Sequence, residues 1–226
     1  YMVKCDILST DRPPVETRPQ DPPRGRPSLA APRRDDAPPG KPMTVIYLAS
    51  RSPRRRELLA QIGVRFEMLL FREGTRQDAE TIEDPFPGEH PDDYVRRVTR
   101  LKVEAAWQRV VMRKGLRRMP VLAADTTVAL ANEMLAKPAD AADAARMLRL
   151  LAGTRHRVLT AVAVAFENRL EMRVSESHVT FCPLDETRIA DYVASGEPYD
   201  KAGGYGIQGR AGAFVQRLEG SYSGVM

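Results

Sequence analysis

The chain has 226 residues, 42% of them hydrophobic, and 35 basic against 30 acidic side chains give a net charge of +5. That length fits one domain, or one domain with a tail. No run approaches the roughly 18 apolar residues of a membrane helix, residues Tyr1 to Thr10 lack the apolar run and small-residue cleavage site of a secretory leader, and two cysteines, Cys5 and Cys182, exclude a disulfide framework and a cysteine-rich zinc module. The expectation is a soluble cytoplasmic protein in a reducing compartment.

More than half of the 18 prolines lie between Pro13 and Pro42, in a segment with many charges and no hydrophobic periodicity. Such a segment cannot bury enough apolar surface to offset its ordering entropy. Residues 1–42 are therefore expected to be a disordered extension, and 43–226 the domain, with Met43 just ahead of the first strand signal. The domain's mild basic bias gives no ground to expect nucleic-acid binding.

Thr44–Ala49 is a β-branched and aromatic run and predicts a buried strand. Ser52-Pro53 predicts a helix start, with Ser52 as N-cap and Gly63 as the stop. Val64–Phe71 predicts a second strand and Arg72–Pro91 a polar loop. Tyr94, Val95, Val98, Leu101 and Ala105 recur at helical spacing, predicting a helix over Pro91–Val111. Val121–Ala124 predicts a third strand that runs into Asp125-Thr126-Thr127, followed by a small hairpin, Val128–Ala131 and Met134–Ala136, turning at Asn132-Glu133. A helix over Asp140–Leu151, an apolar strand Val158–Phe166, a turn at Glu167-Asn168, an alternating strand Arg169–Phe181 and a helix Asp185–Ala194 complete the regular elements. Glu197–Met226 is glycine-rich. Interleaved strands and helices with two hairpins define an α/β class with a mixed twisted sheet flanked by helices. A site is expected at the carboxyl ends of strands, where loops meet helix N-termini.

Four constellations carry chemistry. In Leu48–Arg56, a strand, a tight turn and a helix start bring Ser50, Ser52 and free helix N–H groups together, an anion-binding arrangement. Arg54 and Arg55 stand in the first helical turn, where the helix dipole disfavours cations unless an anion is present; the bland alternative is a solvated basic turn. Asp125, at the end of an apolar strand, must be solvated, paired or metal-bound, and it either holds Mg²⁺, activates water or merely caps the turn. Only six lysines occur in an arginine-rich chain, among them Lys102, Lys137 and Lys201, the last opening Lys201–Gly209. The acidic run Asp78–Asp84 either supplies a second metal carboxylate or is merely solvated. The three histidines, His90, His156 and His178, show no metal-ligand spacing; His156 reads as a core or hydrogen-bonding histidine.

Taken in this order, three segments resemble the Maf family of nucleotide pyrophosphatases: LASRSPRR (Leu48–Arg55), AADTTV (Ala123–Val128) with Lys137-Pro138 behind it, and KAGGYGIQG (Lys201–Gly209) followed by GSYSGV (Gly220–Val225). The resemblance runs from about Met43 to Met226. It implies two lobes with a central cleft, and metal-dependent hydrolysis of a nucleoside triphosphate, the substrate and partner, to monophosphate and pyrophosphate. It assigns Asp125 as proton acceptor or metal carboxylate, and matches Ser50, Arg54, Arg55, Lys102, Lys137 and Lys201 to family positions. The family's dTTP and UTP branch carries Arg, Thr and Gln where this chain has Arg54, Thr126 and Gln208; the 7-methyl-GTP branch carries Trp, Gln and Glu. A side-chain amide offers a donor and an acceptor that match O4 and N3–H of uracil or thymine. Glu83 aligns with the family's metal carboxylate, but Ile82 replaces the usual Asp before it. The implied cofactor is a divalent cation, Mg²⁺ or Mn²⁺, and a homodimer stays open. The family continues past the position of Met226 with G-L-P-L and a final helix, so uncovered apolar sheet surface is expected. The rival readings are the same chemistry on another base, such as 7-methyl-GTP, and a non-catalytic regulator of cell division.

Overall fold

The computed structural model describes residues 45–69 and 83–226. The expected disordered tail, the outer ends of the first two strands, the acidic residues Asp78 and Glu80 and the neighbouring Ile82 lie outside the described residues. The strands are β1 (Val45–Leu48), β2 (Arg65–Met68), β3 (Val121–Leu130), β4 (Glu133–Leu135), β5 (Arg155–Phe166), β6 (Arg169–Phe181) and β7 (Val215–Glu219). They form one mixed sheet in the order β2-β1-β3-β5-β6-β7, with β4 also paired to β3. β1 runs parallel to β2 and to β3, and the remaining pairings are antiparallel. The helices are α1 (Pro53–Gln61), α2 (Pro91–Met112), α3 (Ala141–Leu151), α4 (Glu186–Ala194) and a final turn, α5 (Tyr222–Val225). The α/β class with a mixed sheet and flanking helices is as the sequence predicts.

Successive side chains of a strand point to opposite faces, and the two faces of this sheet carry separate cores. On one, Val103, Ala106 and Val110 of α2 pack on Tyr47, Val121, Ala123, Ala163 and Ala165, and Val95 packs on Leu159 and Ala161. On the other, Met147, Leu148 and Leu151 of α3 and Ile189 and Tyr192 of α4 pack on Val128, Val158, Val179 and Phe181. Each Val, Leu, Ile, Met or Phe among them contributes about 1.5–3 kcal/mol on removal from water, and each Ala less. Gly203 makes the second core possible: at φ 69°, it presents its backbone where a Cβ would stand 2.9 Å from Val128 Cγ1. On the same face, beyond these helices, Val162 stays 37% exposed.

Three details differ from the sequence expectation. The third strand does not stop before Asp125, because Val121–Ala129 pair residue by residue with β5 and carry Asp125-Thr126-Thr127 inside the ladder. The hairpin turn falls one residue earlier, at Ala131-Asn132, since Leu130 pairs with Glu133. The glycine-rich end contains an edge strand, β7, whose Leu218 pairs with Val179. Ser52 stands at the N-cap of α1, but its side chain makes no capping bond. Asp140 and Asp185 cap α3 and α4 as the sequence suggests, accepting from the N–H groups of Asp143 and Arg188.

His156 is a core residue. Its Nε2 lies 2.7 Å from the Tyr205 hydroxyl, and its ring meets Phe181 and Tyr205 edge-on. Burial pushes its pKa down from 6.5 to about 4. Below pH 6.5 the unfolded chain takes up a proton that the folded chain refuses. Stability measured by urea unfolding is therefore expected to fall as pH drops from about 6.5 and to level off near 4, a loss of about 3 kcal/mol. The His156→Gln variant is expected to lose that slope; equal slopes in both proteins would contradict the assignment.

Candidate active site

The site lies where one edge of β3 is without a strand partner. β1 pairs with β3 only at Val121 and Leu122, and its last bond is Ala49 N–H to Leu122 O, 2.8 Å. β4 begins pairing at Val128. Among the described residues Ala123–Thr127 therefore have β5 on one side and no strand on the other. The Ser50–Ser52 turn leaves β1 at this gap and feeds directly into α1.

Asp125 projects toward α2, with its side chain 13% exposed, and Lys102 Nζ lies 2.6 Å from its Oδ1. The same ammonium lies 2.6 Å from Glu83 Oε1, and Lys137 Nζ lies 3.4 Å from Glu83 Oε2. Two carboxylates and two lysines thus alternate in one row. Burial alone would push the Glu83 carboxyl up, but Lys102 and Lys137 outweigh it and hold the group below the usual carboxylate range. Thr126 points to the other face, where its hydroxyl lies 2.9 Å from that of Thr160, which in turn donates to the Gly224 carbonyl at 2.6 Å. Arg55 reaches across the gap: it donates to Ser50 Oγ at 3.2 Å and to Thr126 Oγ1 at 3.5 Å. Burial lowers the pKa of its guanidinium, Asp125 and Glu83 oppose that shift, and Arg54 adds to it. The arginines in the first turn of α1 are thus held against the helix dipole by nearby carboxylates.

Arg54 faces Asp200 at 3.8 Å, and Asp200 is also paired with Lys201. Lys201 donates to the Glu197 carbonyl at 2.6 Å. Gln208 lies on the same glycine-rich segment; it is exposed, and its side chain has no hydrogen bond among the described residues. The structure thus brings Ser50, Arg55 and Thr126 into one cluster, Lys102, Asp125, Glu83 and Lys137 into a second, and Arg54 with Lys201 into a third. The first two are joined through the backbone of Asp125-Thr126, and the first and third through Arg54-Arg55.

Several supporting residues escape the sequence reading. Tyr94 donates to the Glu83 carbonyl at 2.8 Å, and Arg97 donates to the Asp84 carbonyl at 3.0 Å. Arg97 also makes a two-pronged pair with Glu89 at 2.6 and 2.7 Å and lies over the Phe86 ring. This clamp from α2 sets the position of Glu83. Thr160 was signalled only by a lone polar residue inside an apolar strand, and Asp200 only by its place next to Lys201.

Among the described residues no group of three or more His, Cys, Asp or Glu side chains stands ready to hold a metal. Asp125 and Glu83 nonetheless meet on one cation, Lys102, so two hard oxygen donors converge on a single positive charge. One or two carboxylates, with phosphate oxygens completing the shell, is the set a Mg²⁺ ion uses at phosphate sites, and the donor chemistry fits such an ion. No described helix is long and apolar enough to cross a membrane.

Fold and site together define an α/β protein with a cation-lined, carboxylate-bearing gap suited to a phosphate-rich ligand. Residues 45–226 match the family model described as Maf-like protein, and the chain belongs to that family. A protein named dTTP/UTP pyrophosphatase from Cupriavidus metallidurans is 57% identical over 183 residues, covering 81% of this chain and 90% of that protein. Proteins of the same name from Dechloromonas aromatica and Ralstonia nicotianae are 55% and 56% identical, each covered over 90% of its length by 80% and 84% of this chain. A solved structure, the Staphylococcus aureus Ham1 protein, aligns at 18% identity and a TM-score of 0.37 over 61% of this chain and 71% of that one, a likeness too slight to carry an argument.

Removing the clamp is expected to loosen the Glu83 segment without unfolding the domain. In the Arg97→Met variant the Phe86 and Glu89 amides are expected to exchange about tenfold faster or more, while the α3 amides keep their protection. Unchanged exchange at Phe86 and Glu89 would show that Arg97 does not hold the segment.

Proposed function

We propose that this protein is a nucleoside triphosphate pyrophosphatase that acts on dTTP and UTP, releasing the monophosphate and pyrophosphate in a cytoplasmic nucleotide pool. One observation carries the reading: the carboxylate of Asp125 stands at the gap in the sheet with Lys102 at 2.6 Å, Lys137 in the same cluster, and Arg55, Arg54 and Lys201 in the adjoining clusters. The names of relatives more than half identical to this chain support it.

Charge on the phosphates dominates the barrier to phosphoanhydride hydrolysis, so fixed cations and dipoles aimed at them do most of the catalytic work. In this reading Ser50, Arg54, Arg55 and the first-turn N–H groups of α1 bind the triphosphate, with Lys137 and Lys201 at its flanks. The phosphates take the place of Glu83 and Asp200 as partners of these cations. Asp125 accepts the proton of the attacking water as the new P–O bond forms and the bond to the α,β-bridging oxygen breaks, and pyrophosphate leaves. Lys102 orients the Asp125 carboxylate for this transfer. A divalent cation, Mg²⁺ or Mn²⁺, would be held by Asp125 and Glu83 and would supply neutralisation of the phosphate charge. Thr126 and Gln208 read the base.

Replacing Asp125 by Asn is expected to cut turnover of dTTP and UTP by about a hundredfold or more while leaving thermal unfolding nearly unchanged. Turnover within a few-fold of the unmodified protein would remove Asp125 from the mechanism. Gln208→Glu is expected to weaken dTTP and UTP hydrolysis relative to guanine nucleotides, measured as pyrophosphate release across a nucleotide panel. An unchanged preference would remove Gln208 from base recognition.

A further inference from the structure

We propose that Glu197 is the positioning residue for base selectivity: its carboxylate grips the Gly206–Arg210 loop and thereby sets where Gln208 stands relative to Lys201. This rests on the pyrophosphatase reading and deepens it.

Glu197 opens a 3-10 turn, Glu197–Asp200, behind Gly196. Its two carboxylate oxygens have different partners. Oε1 accepts the Tyr192 hydroxyl at 3.0 Å, and Oε2 accepts the Arg210 N–H at 3.1 Å. The carboxylate also fills the space where a Cβ on Gly209 would stand, so the loop closes against it only because that residue is glycine. At the other end of the loop, the Lys201 stem lies where a Cβ on Gly206 would stand. Gln208 is thus carried on a short loop held at Gly206 by Lys201 and at Gly209-Arg210 by Glu197.

The hold is directional. Among the described residues no cation pairs with Glu197; a hydroxyl and a backbone N–H hold it, and hydrogen bonds weaken steeply as they depart from linearity. The Tyr192 ring is 1% exposed and belongs to the core beneath α4, so the loop is referenced to the body of the domain rather than to solvent. The side chain and the backbone of Glu197 act on different targets. The carboxylate holds the loop, while the backbone carbonyl accepts from Lys201 Nζ at 2.6 Å. Deleting the side chain therefore leaves the lysine's partner in place while it releases the loop and the Tyr192 hydroxyl.

Uracil and cytosine differ at N3 and at the 4-substituent, the edge a carboxamide reads. A loop free to shift keeps phosphate binding and loses that discrimination. The experiment measures kcat and KM for UTP and CTP with the full chain, in the unmodified protein and in Glu197→Ala, Tyr192→Phe, Gln208→Ala and the Glu197→Ala/Gln208→Ala double variant. The UTP:CTP ratio of kcat/KM is expected to fall about tenfold in Glu197→Ala. Its CTP rate is expected to stay within about threefold. Tyr192→Phe is expected to move the ratio the same way by less and serves as the test if Glu197→Ala does not fold. The double variant is expected to be no less selective than Gln208→Ala alone, because both changes disable one contact. An unchanged ratio in Glu197→Ala or Tyr192→Phe, or an additive loss in the double variant, overturns the inference while leaving the pyrophosphatase reading intact. No release of pyrophosphate from any nucleotide by the unmodified protein overturns that reading itself.

Discussion

The constraint on which the molecule depends is the unequal pairing of the two edges of β3. β5 pairs with it continuously from Val121 to Ala129, which satisfies the backbone of a segment that carries a carboxylate and two hydroxyls. On the other edge β1 stops at Leu48 and β4 starts at Val128. A polar stretch can be placed inside a sheet without burying unpaired charge only where one side stays open to solvent or to a ligand. The gap meets that need, and the turn after β1 delivers Ser50 and the first turn of α1 to it.

Charge balance follows from that geometry. Two arginines and three lysines gather around the gap, and three carboxylates, Glu83, Asp125 and Asp200, are interleaved with four of these cations. Each acid bridges or abuts a cation that would otherwise repel its neighbours. The cations outnumber the carboxylates, and Asp200 and Lys137 are largely exposed, so those partnerships are weak and open to exchange. A polyphosphate carries enough negative charge to replace them.

The scaffold behind the site is built from contacts that hold segments rather than side chains. The clamp of Tyr94 and Arg97 fixes the backbone at Glu83 and Asp84. Thr160 ties the Gly224 carbonyl of α5 to Thr126, so the last turn of the chain supports the centre of β3. Glu197 and Tyr192 do the same for the loop of Gln208. In each case a helix or strand that belongs to the core reaches out to a loop, which is how a rigid sheet lends precision to irregular segments.

Much of this was legible in the residues themselves. Strand runs, helix spacing, the caps Asp140 and Asp185 and the glycine stops mark most elements, because these signals act over a few neighbours. The motif residues around Ser50, Asp125 and Lys201 were legible as chemistry for the same reason. What the sequence could not convey was pairing. Asp125 reads as a strand end because polar residues usually interrupt strands, and only the continuous ladder with β5 shows that it does not. The edge strand β7 and the roles of Thr160, Tyr94, Arg97 and Glu197 were equally hidden, since each depends on a partner 11 to 64 residues away or on a backbone group that carries no residue-type signal. Local propensities are written in adjacent side chains, whereas the meeting of distant segments is decided by how two cores pack on opposite faces of one sheet.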